Sequence, residues 1–343
     1  MTQRLRIGLI GAGNNMVGAH VPRLIQRQDV EIIAVTEPFE ANVERFRERF
    51  PSIAGISVYS DFHTMVEAQH PDAVVISTPH RFHCEQICGS LEAGCHVLVE
   101  KPMVCSVEEA RQVIHARDKA GKIVLVSYQR HYQHAFLAMK QAIDSGLIGT
   151  IQYVDLQQNQ NWYNNQKHAN RWRISKEISG GGQLNDSGSH IVDILLYVTN
   201  LQPKRVFATQ QSFDLEVDVN SAITLEFEGG ATGCLSIVGN APFPGGSVHE
   251  DITIYGSEGA IFYRQLGQPD PRQPFIEVRR FDSGVVEVEG VPQSSTPDDN
   301  FIAAIQGREP VQSPAEGGLK VMQLSEAAWR SAGTSQPVDV RTL

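Results

Sequence analysis

Five short runs of apolar, largely β-branched residues in the first 127 positions alternate with segments of helical spacing. The strand-like runs are Arg6–Ile10, Ile32–Thr36, Ala73–Ser77, His96–Val99 and Ile123–Ser127. Apolar strands separated by helices are typical of a parallel sheet that is covered on both faces. The beginning of the chain is therefore predicted to be an α/β domain with a doubly wound parallel sheet.

A different pattern begins near residue 127. Helical patterns occur at Ala135–Ser145, Gln183–Val198, Asp299–Gln306 and Gly317–Ser331, and the strand-like stretches between them are partly joined by Gly-containing turns. Such turns connect antiparallel strands. We predict two domains: an α/β domain at 1–126 and an α+β domain with a mostly antiparallel sheet at 127–343. Pro- and Gly-rich surface loops are expected at Ala241–Gly246 and Gly267–Pro274.

The charge balance excludes several classes of partner. There are 29 Lys and Arg residues against 39 Asp and Glu, which gives a net charge of −10, and no long basic run is present. We therefore expect no binding to nucleic acid or to a membrane surface. No stretch approaches the ~18 apolar residues of a membrane-spanning helix. The odd number of cysteines, five, does not suit a secreted disulfide framework and predicts reduced thiols in the cytoplasm.

A glycine-rich turn follows the first strand. Its residues Gly11, Gly13, Asn14, Asn15 and Met16 are predicted to bind the pyrophosphate of a dinucleotide. The first glycine permits a sharp turn, the second lets the backbone approach the phosphates, and the following helix offers amide donors. The third glycine of the usual fingerprint would fall at Met16, so a wider or longer turn is expected.

Glu37 ends the second strand, 26 positions after Gly11. A carboxylate there accepts hydrogen bonds from the ribose hydroxyls of NAD, and it repels the 2′-phosphate of NADP. The next residues are Pro38 and Phe39, so no Arg directly follows to compensate. NAD is therefore predicted as the cofactor in preference to NADP.

Two further strand ends carry polar residues. Thr78, Pro79 and His83 follow the strand at 73–77, and Glu100-Lys101-Pro102 follows the strand at 96–99. Ligands of open α/β sheets bind beside the carboxyl ends of the strands. Thr78, Pro79, His83, Glu100 and Lys101 are therefore predicted to contact the cofactor.

The second domain contributes a candidate reactive segment, Gly180–Asp193. Asp186 and His190 are four residues apart, which places them on one face if the segment is helical. Trp172 and Arg173 have the makeup of a sugar pocket and are predicted to contact substrate. Arg130 is open to two interpretations, a substrate contact or an inter-domain salt bridge. No metal site is predicted, because His80, His83, Cys84 and Cys88 have no standard zinc spacing.

These residues together resemble the glucose–fructose oxidoreductase/inositol dehydrogenase (Gfo/Idh/MocA) family. The resemblance rests on the Gly11–His20 turn, Thr78-Pro79 with His83, Glu100-Lys101-Pro102, the Gly-Gly-Gly-x-Leu-x-Asp-x-Gly-x-His stretch at 180–190, and the chain's ending from Asn300 to Val338. It implies an NAD-dependent oxidoreductase that acts on a sugar, sugar derivative or cyclitol. It also implies that 1–126 is a nucleotide-binding Rossmann domain and that the α+β domain at 127–343 has a large open, mostly antiparallel sheet that binds substrate. It also implies that Lys101, Asp186 and His190 are the catalytic residues and touch the substrate.

The chemistry of these three residues agrees with that implication. His190, with an ordinary pKa of ~6.5, suits a general base near neutral pH. Lys101 would stabilise negative charge on the reacting oxygen, and Asp186 would orient the imidazole or the sugar. We expect the ammonium and imidazole groups to act on the same oxygen beside the nicotinamide.

Two other functions remain open from the sequence. An NAD-using glycoside hydrolase would oxidise its sugar only transiently, and a non-catalytic regulator would bind nucleotide or sugar without reaction. The three intact reactive residues weigh against the regulator. An open sheet face is costly to leave wet if it is apolar, so we also expect a homodimer or homotetramer.

Overall fold

The computed structural model describes residues 4–169, 171–243, 247–265 and 274–343. The contacts divide the chain into two compact units. The first comprises Met1–Val104, Glu108–Tyr128 and Thr296–Gly318, and the second comprises Cys105–Val107, Gln129–Ser295 and Leu319–Leu343. The predicted loops at 241–246 and 267–274 fall mostly outside the described residues.

The first unit is built on a six-stranded parallel sheet. Its strands are β1 (Leu5–Ile10), β2 (Val30–Thr36), β3 (Ser57–Tyr59), β4 (Ala73–Ile76), β5 (His96–Val99) and β6 (Val124–Val126). The order β3-β2-β1-β4-β5-β6 is that of a doubly wound sheet, which confirms the predicted fold class. All four side chains of β4 are fully buried, as a central strand with both faces covered requires.

Helices connect these strands. They are α1 (Val21–Leu24), α2 (Glu40–Arg49), α3 (Phe62–Gln69), α4 (His83–Glu92) and α5 (Val107–Ala120). A five-residue π-helix, Met16–His20, precedes α1. The sequence predicts a wider or longer turn than the usual glycine-rich one. In the structure this widening is one turn of π-helix.

The second unit is built on a nine-stranded sheet. Its strands are β7 (Ile151–Gln160), β8 (Pro203–Gln211), β9 (Asn220–Phe227), β10 (Thr232–Val238), β11 (Val248–Gly256), β12 (Gly259–Arg264), β13 (Phe275–Arg280), β14 (Gly284–Val286) and β15 (Val338–Asp339). Among the strands that the structure describes, β7 and β10 pair in parallel and the other neighbours are antiparallel. The predicted open, mostly antiparallel sheet is confirmed.

Buried and exposed side chains alternate along β9, as expected for a sheet with one covered face. The remaining helices are α6 (His134–Asp144), α7 (Trp162–Ala169), α8 (Lys176–Ser179), α9 (Gly188–Thr199), α10 (Pro297–Ile305) and α11 (Ala315–Thr334). Among these, α9 is almost wholly buried, and it packs against α6 and β7.

The first unit differs from a domain ending at residue 126, because the chain returns to it at Thr296–Gly318. Phe301 and Ile302 of α10 are fully buried in the same apolar cluster as the strands β1 and β4. The backbone N–H of Val126 donates to the carbonyl of Ser313 at 2.9 Å, beyond the last strand of the sheet. Two effects account for the return of 296–318 to the first unit. Apolar side chains are buried, and a backbone N–H at the edge of the sheet gains a hydrogen-bond partner.

Candidate active site

The register of the parallel sheet brings four strand ends to one edge. Ile10 of β1 pairs with Thr36 of β2 and with Ile76 of β4, and Ile76 in turn pairs with Val99 of β5. The residues that follow these four positions are Gly11, Glu37, Ser77 and Glu100. The glycine-rich turn, Glu37, Thr78-Pro79 and Glu100-Lys101 therefore lie along the same edge, as predicted from their places after strands.

Close packing explains the first glycine of the turn. Gly11 has φ of +89°, and a Cβ on it would lie 2.8 Å from the carbonyl oxygen of Ser77. Its N–H donates to the carbonyl of Thr36 at 2.8 Å. Asn14 and Asn15 are exposed, whereas the side chain of Met16 lies in the apolar core. The side chain of Met16 thus faces away from solvent, and only its backbone is left for a phosphate.

Glu37 is attached to the turn directly. Its Oε2 accepts a hydrogen bond from the N–H of Ala12 at 2.8 Å, and its Oε1 accepts one from the N–H of Phe39 at 3.1 Å. Each oxygen keeps a second lone pair for a ribose hydroxyl. Arg45 of α2, which sequence reasoning missed, donates to the Asn14 side chain at 2.9 Å and to the Ala12 carbonyl at 3.1 Å. A guanidinium therefore flanks the turn where a dinucleotide would place its negative charge.

His83 has a supporting position. It is fully buried, and its two ring nitrogens lie 2.9 Å from the carbonyl oxygens of Thr78 and Pro102. Burial lowers the pKa of His83, and the backbone carbonyls oppose that shift. The buried ring of His83 therefore lies between two neighbouring strand ends and not on an open crevice, and when neutral it donates to only one of the two carbonyls.

Lys101 follows the β5 strand end and is half-buried. Its backbone N–H donates to Oε2 of Glu100 at 3.3 Å, and the Lys101–Pro102 peptide bond is cis. The other oxygen of Glu100 lies 3.1 Å from Nε2 of His20. Burial alone would raise the pKa of Glu100, but its hydrogen bond and charge interaction with His20 outweigh burial and lower it to about 2.

In the second unit, Asp186 and His190 do not share a helical face. Helix α9 begins at Gly188, so Asp186 lies in the turn before it, and His190 lies in the first turn of the helix. The predicted helix at 183–198 is thus wrong in its first five residues. The N–H of Gly188 donates to the carbonyl of Gln183, five residues earlier, and Asp218 accepts from the N–H groups of Gly182 and Leu184, so the regular helix begins only at Gly188.

Asp218 is the second site residue that sequence reasoning missed. Its Oδ1 accepts from the N–H of Gly182 at 3.0 Å and from Nε1 of Trp329 at 2.9 Å, and its Oδ2 accepts from the N–H of Leu184 at 2.8 Å. A Cβ on Gly182 would overlap the backbone of Asp218. Burial raises the pKa of Asp218, and these three donors oppose the rise. The glycines at 180–182 therefore form a tightly packed turn. The sequence signal that could have identified Asp218 is a carboxylate placed between two apolar residues, Val217 and Val219.

The Asp186 carboxylate has two cationic or polar neighbours. Its Oδ2 accepts a hydrogen bond from Nε1 of the fully buried Trp162 at 2.8 Å and lies 3.0 Å from Nε of Arg173. The Arg173 guanidinium stacks on the ring of Trp172, 4.2 Å from its centroid. Asp186 and His190 are both largely buried. The structure thus brings Asp186, Arg173 and Trp172 together, with Trp162 added.

Arg130 is engaged within its own unit. Its Nη1 lies 2.7 Å from Oε1 of the buried Glu250, and Nε2 of Gln158 donates to the same oxygen at 2.6 Å. The ion pair is therefore a buried link within the second unit rather than a salt bridge between domains. The predicted substrate contact of Arg130 stays a prediction, since the guanidinium has further N–H donors besides those of Nη1.

In the part of the chain that the structure describes, no cluster of three or more His, Cys, Asp or Glu side chains is arranged to hold a metal ion. Over the same residues, none of the helices has the length and apolarity needed to cross a membrane.

A parallel sheet with a glycine-rich turn, a carboxylate after the second strand and a lysine after the fifth defines a nucleotide-binding oxidoreductase. Comparison with known proteins agrees. Residues 5–128 match the oxidoreductase family with an NAD-binding Rossmann fold (Gfo/Idh/MocA), and residues 136–262 match the C-terminal domain of the same family. The chain belongs to the Gfo/Idh/MocA family and is an NAD(P)-dependent oxidoreductase.

Relatives of known name span nearly the whole chain. D-glucoside 3-dehydrogenase of Escherichia coli K12 is 26% identical and covers 98% of this chain and 97% of its own. Myo-inositol 2-dehydrogenase of Thermotoga maritima is 25% identical over 95% of this chain and 96% of its own. The WlbA dehydrogenase of Bordetella pertussis, solved with NADH and UDP-GlcNAcA, has a TM-score of 0.85 at 23% identity, covering 98% and 99% of the two chains. This last likeness supports the fold.

Proposed function

We propose that this chain transfers hydride between NAD and a hydroxyl or carbonyl carbon of a sugar, sugar derivative or cyclitol. The observation that carries the proposal is the alignment of Gly11, Glu37 and Glu100-Lys101 along one sheet edge. The relatives named as glucoside and inositol dehydrogenases support the substrate class. They also favour net oxidation over the hydrolase and regulator alternatives.

The residues at the sheet edge suit NAD. The close approach at Gly11 leaves room for no Cβ, and the backbone of the turn through Asn14, Asn15 and Met16 supplies N–H donors for phosphates. Glu37 would hold the adenosine ribose, while Thr78 and Pro79 would border the nicotinamide half. When bound, NAD accepts the hydride from the substrate carbon. The protein's own contribution is alignment and charge.

In this proposal the chemistry of the substrate oxygen belongs to three side chains. The Lys101 ammonium donates a hydrogen bond to the reacting oxygen and stabilises its developing negative charge. His190 removes the hydroxyl proton at a ring nitrogen as the hydride leaves. Asp186, fixed by Trp162 and Arg173, orients the sugar or the imidazole and offsets positive charge. For reduction, His190 returns the proton.

Arg173 and Trp172 would form one wall of the sugar site. Their stacked arrangement presents an aromatic ring and a guanidinium edge next to Asp186. Aromatic rings pack against the C–H faces of sugars, and guanidinium groups donate to hydroxyl or carboxylate oxygens.

Assembly and location belong to the same proposal. Tyr153, Phe207 and Tyr255 are exposed on one face of the nine-stranded sheet, and register places Tyr255 opposite Tyr153. Covering these rings with a second copy would remove apolar surface from water, so we propose a homodimer or homotetramer. The five free cysteines support a cytoplasmic location.

The test is NADH formation, followed at its absorbance, from a panel of inositols, aldoses and alkyl glucosides with NAD and NADP in parallel. Lys101→Met should lose most of the turnover with the active polyol while NADH still binds, as measured by fluorescence. His190→Asn should remove the titration near neutral pH from the rate profile. Lys119→Met, on the exposed side of α5, is the matched control and should behave as the parent. Unchanged turnover of Lys101→Met would refute the assignment.

A further inference from the structure

His20 is the last residue of the π-helix, and its side chain is completely buried. Two carboxylates flank its ring. Nδ1 lies 2.8 Å from Oδ1 of Asp298, and Nε2 lies 3.1 Å from Oε1 of Glu100. Asp298 belongs to α10, so this ring joins the glycine-rich segment, the β5 strand end and the returning segment of the first unit.

The geometry requires a proton on each ring nitrogen. An ionised carboxylate only accepts hydrogen bonds, and a neutral imidazole carries a single N–H. A neutral His20 would therefore point a nitrogen lone pair at one of the two carboxylates. Burial lowers the pKa of His20, but the charge of Asp298 and the hydrogen bonds to Asp298 and Glu100 outweigh burial and raise it to about 10.

Charged groups of both signs surround this ring. Arg23 of α1 donates to Oδ2 of Asp298 at 2.8 Å, on the side away from His20. Glu100 is also bound by the Ser127 hydroxyl and lies beside the charge of Lys101. Two carboxylates thus face an imidazolium, a guanidinium and an ammonium. Without the charge on His20, the buried Asp298 and the largely buried Glu100 would each lie against a neutral ring.

We propose that His20 is a positioning residue, a permanently charged imidazolium that ties Glu100 to Asp298 and thereby fixes the backbone on which Lys101 is mounted. The connection between His20 and Lys101 is short. One oxygen of Glu100 lies against Nε2 of His20, and the other accepts a hydrogen bond from the backbone N–H of Lys101. The π-helical turn places the ring at this point, next to the turn proposed to hold the cofactor. This inference rests on the proposed role of Lys101.

The first arm of the test measures the charge of His20. Long-range ¹⁵N–¹H correlation spectra of histidine-labelled protein, with His20→Gln to assign its signals among the 12 histidines, should show both ring nitrogens protonated at about pH 8. A neutral ring under those conditions would overturn the proposal.

The second arm separates charge from hydrogen bonding. In Asp298→Asn the amide can donate to Nδ1, so His20 becomes neutral while its Nε2–H still bonds Glu100. We expect kcat for the active polyol to fall about tenfold or more at pH 8, since misplacement of a catalytic group by about 1 Å can cost about 10²-fold. The KM for NAD should change much less. The ratio of variant to parent kcat should recover as the pH falls and His20 regains its proton; a purely structural loss gives a constant ratio.

Arg27→Gln is the matched control. Arg27 lies 2.6 Å from Asp299, so it joins the same two segments without contacting Glu100. It should retain parental kcat. If Lys101→Met is inactive but Asp298→Asn has the parental kcat at every pH, the role proposed for His20 is refuted while the proposed function stands. If Lys101→Met is active, or no polyol reacts, the proposed function fails and this inference fails with it.

Discussion

The buried carboxylate of Asp218 is expected to control both the stability and the activity of the second unit. In Asp218→Asn, three donated hydrogens from Gly182, Leu184 and Trp329 would meet only one oxygen. With the amide oxygen at the Oδ1 position, two bonds survive, and the amide NH2 faces the Leu184 N–H. Two buried donors are then unsatisfied at about 1–3 kcal/mol each. We expect a loss of about 2–5 kcal/mol in the free energy of unfolding.

Tryptophan fluorescence makes this loss measurable for the second unit alone. All three tryptophans, Trp162, Trp172 and Trp329, belong to that unit. Urea unfolding followed by their emission should show a lower midpoint, and kcat should fall because Asp186 and His190 lie just beyond the loosened turn. The exposed Asp214→Asn in the same loop is the control and should change little. A variant of Asp218 within about 0.5 kcal/mol of the parent would refute the reasoning.

Two other predictions concern the first unit. Glu37→Ser should weaken NAD binding and narrow the preference over NADP, measured as the ratio of kcat/KM for the two cofactors; an unchanged ratio would contradict the ribose assignment. The pKa of His20 in the folded protein, about 10, lies above its ordinary 6.5. Its stabilising contribution is therefore complete below about pH 6.5 and is lost as the pH rises through about 10. The difference in unfolding free energy between parent and His20→Gln, from circular dichroism, should shrink over that range, and a constant difference would contradict it.

The parallel sheet could be predicted because its signals are local. Each apolar run from Ala73–Ile76 to Val124–Val126 is short, buried and followed by polar residues. The end of a strand and the candidate site residues after it could therefore be predicted from the same stretch of sequence. Glu37 and Lys101 were found in this way. The antiparallel sheet could be predicted from strand-like stretches joined by Gly-containing turns, although the parallel pairing of β7 with β10 has no local signal.

The parts that sequence reasoning missed depend on distant partners. Helical spacing placed Asp186 and His190 on one face, yet Asp218, more than thirty positions away, accepts the backbone hydrogen bonds that set the turn. His20 and Asp298 are 278 positions apart, and Arg45 reaches the glycine-rich turn from α2. The sequence analysis predicted no helix at α7, where Asn164 and Asn165 are weak helix formers and Trp162 is buried by tertiary packing.

The return of Thr296–Gly318 to the first unit has a consequence for synthesis. A ribosome releases the amino-terminal sheet early, but Phe301, Ile302 and Asp298 emerge only after Gln129–Ser295 of the second unit has been made. Until then the nascent nucleotide-binding half has an open apolar surface and a histidine with only one of its two carboxylate partners. Maturation of that half is thus coupled to completion of the other, and a gene fragment ending at residue 126 would encode an unfinished core.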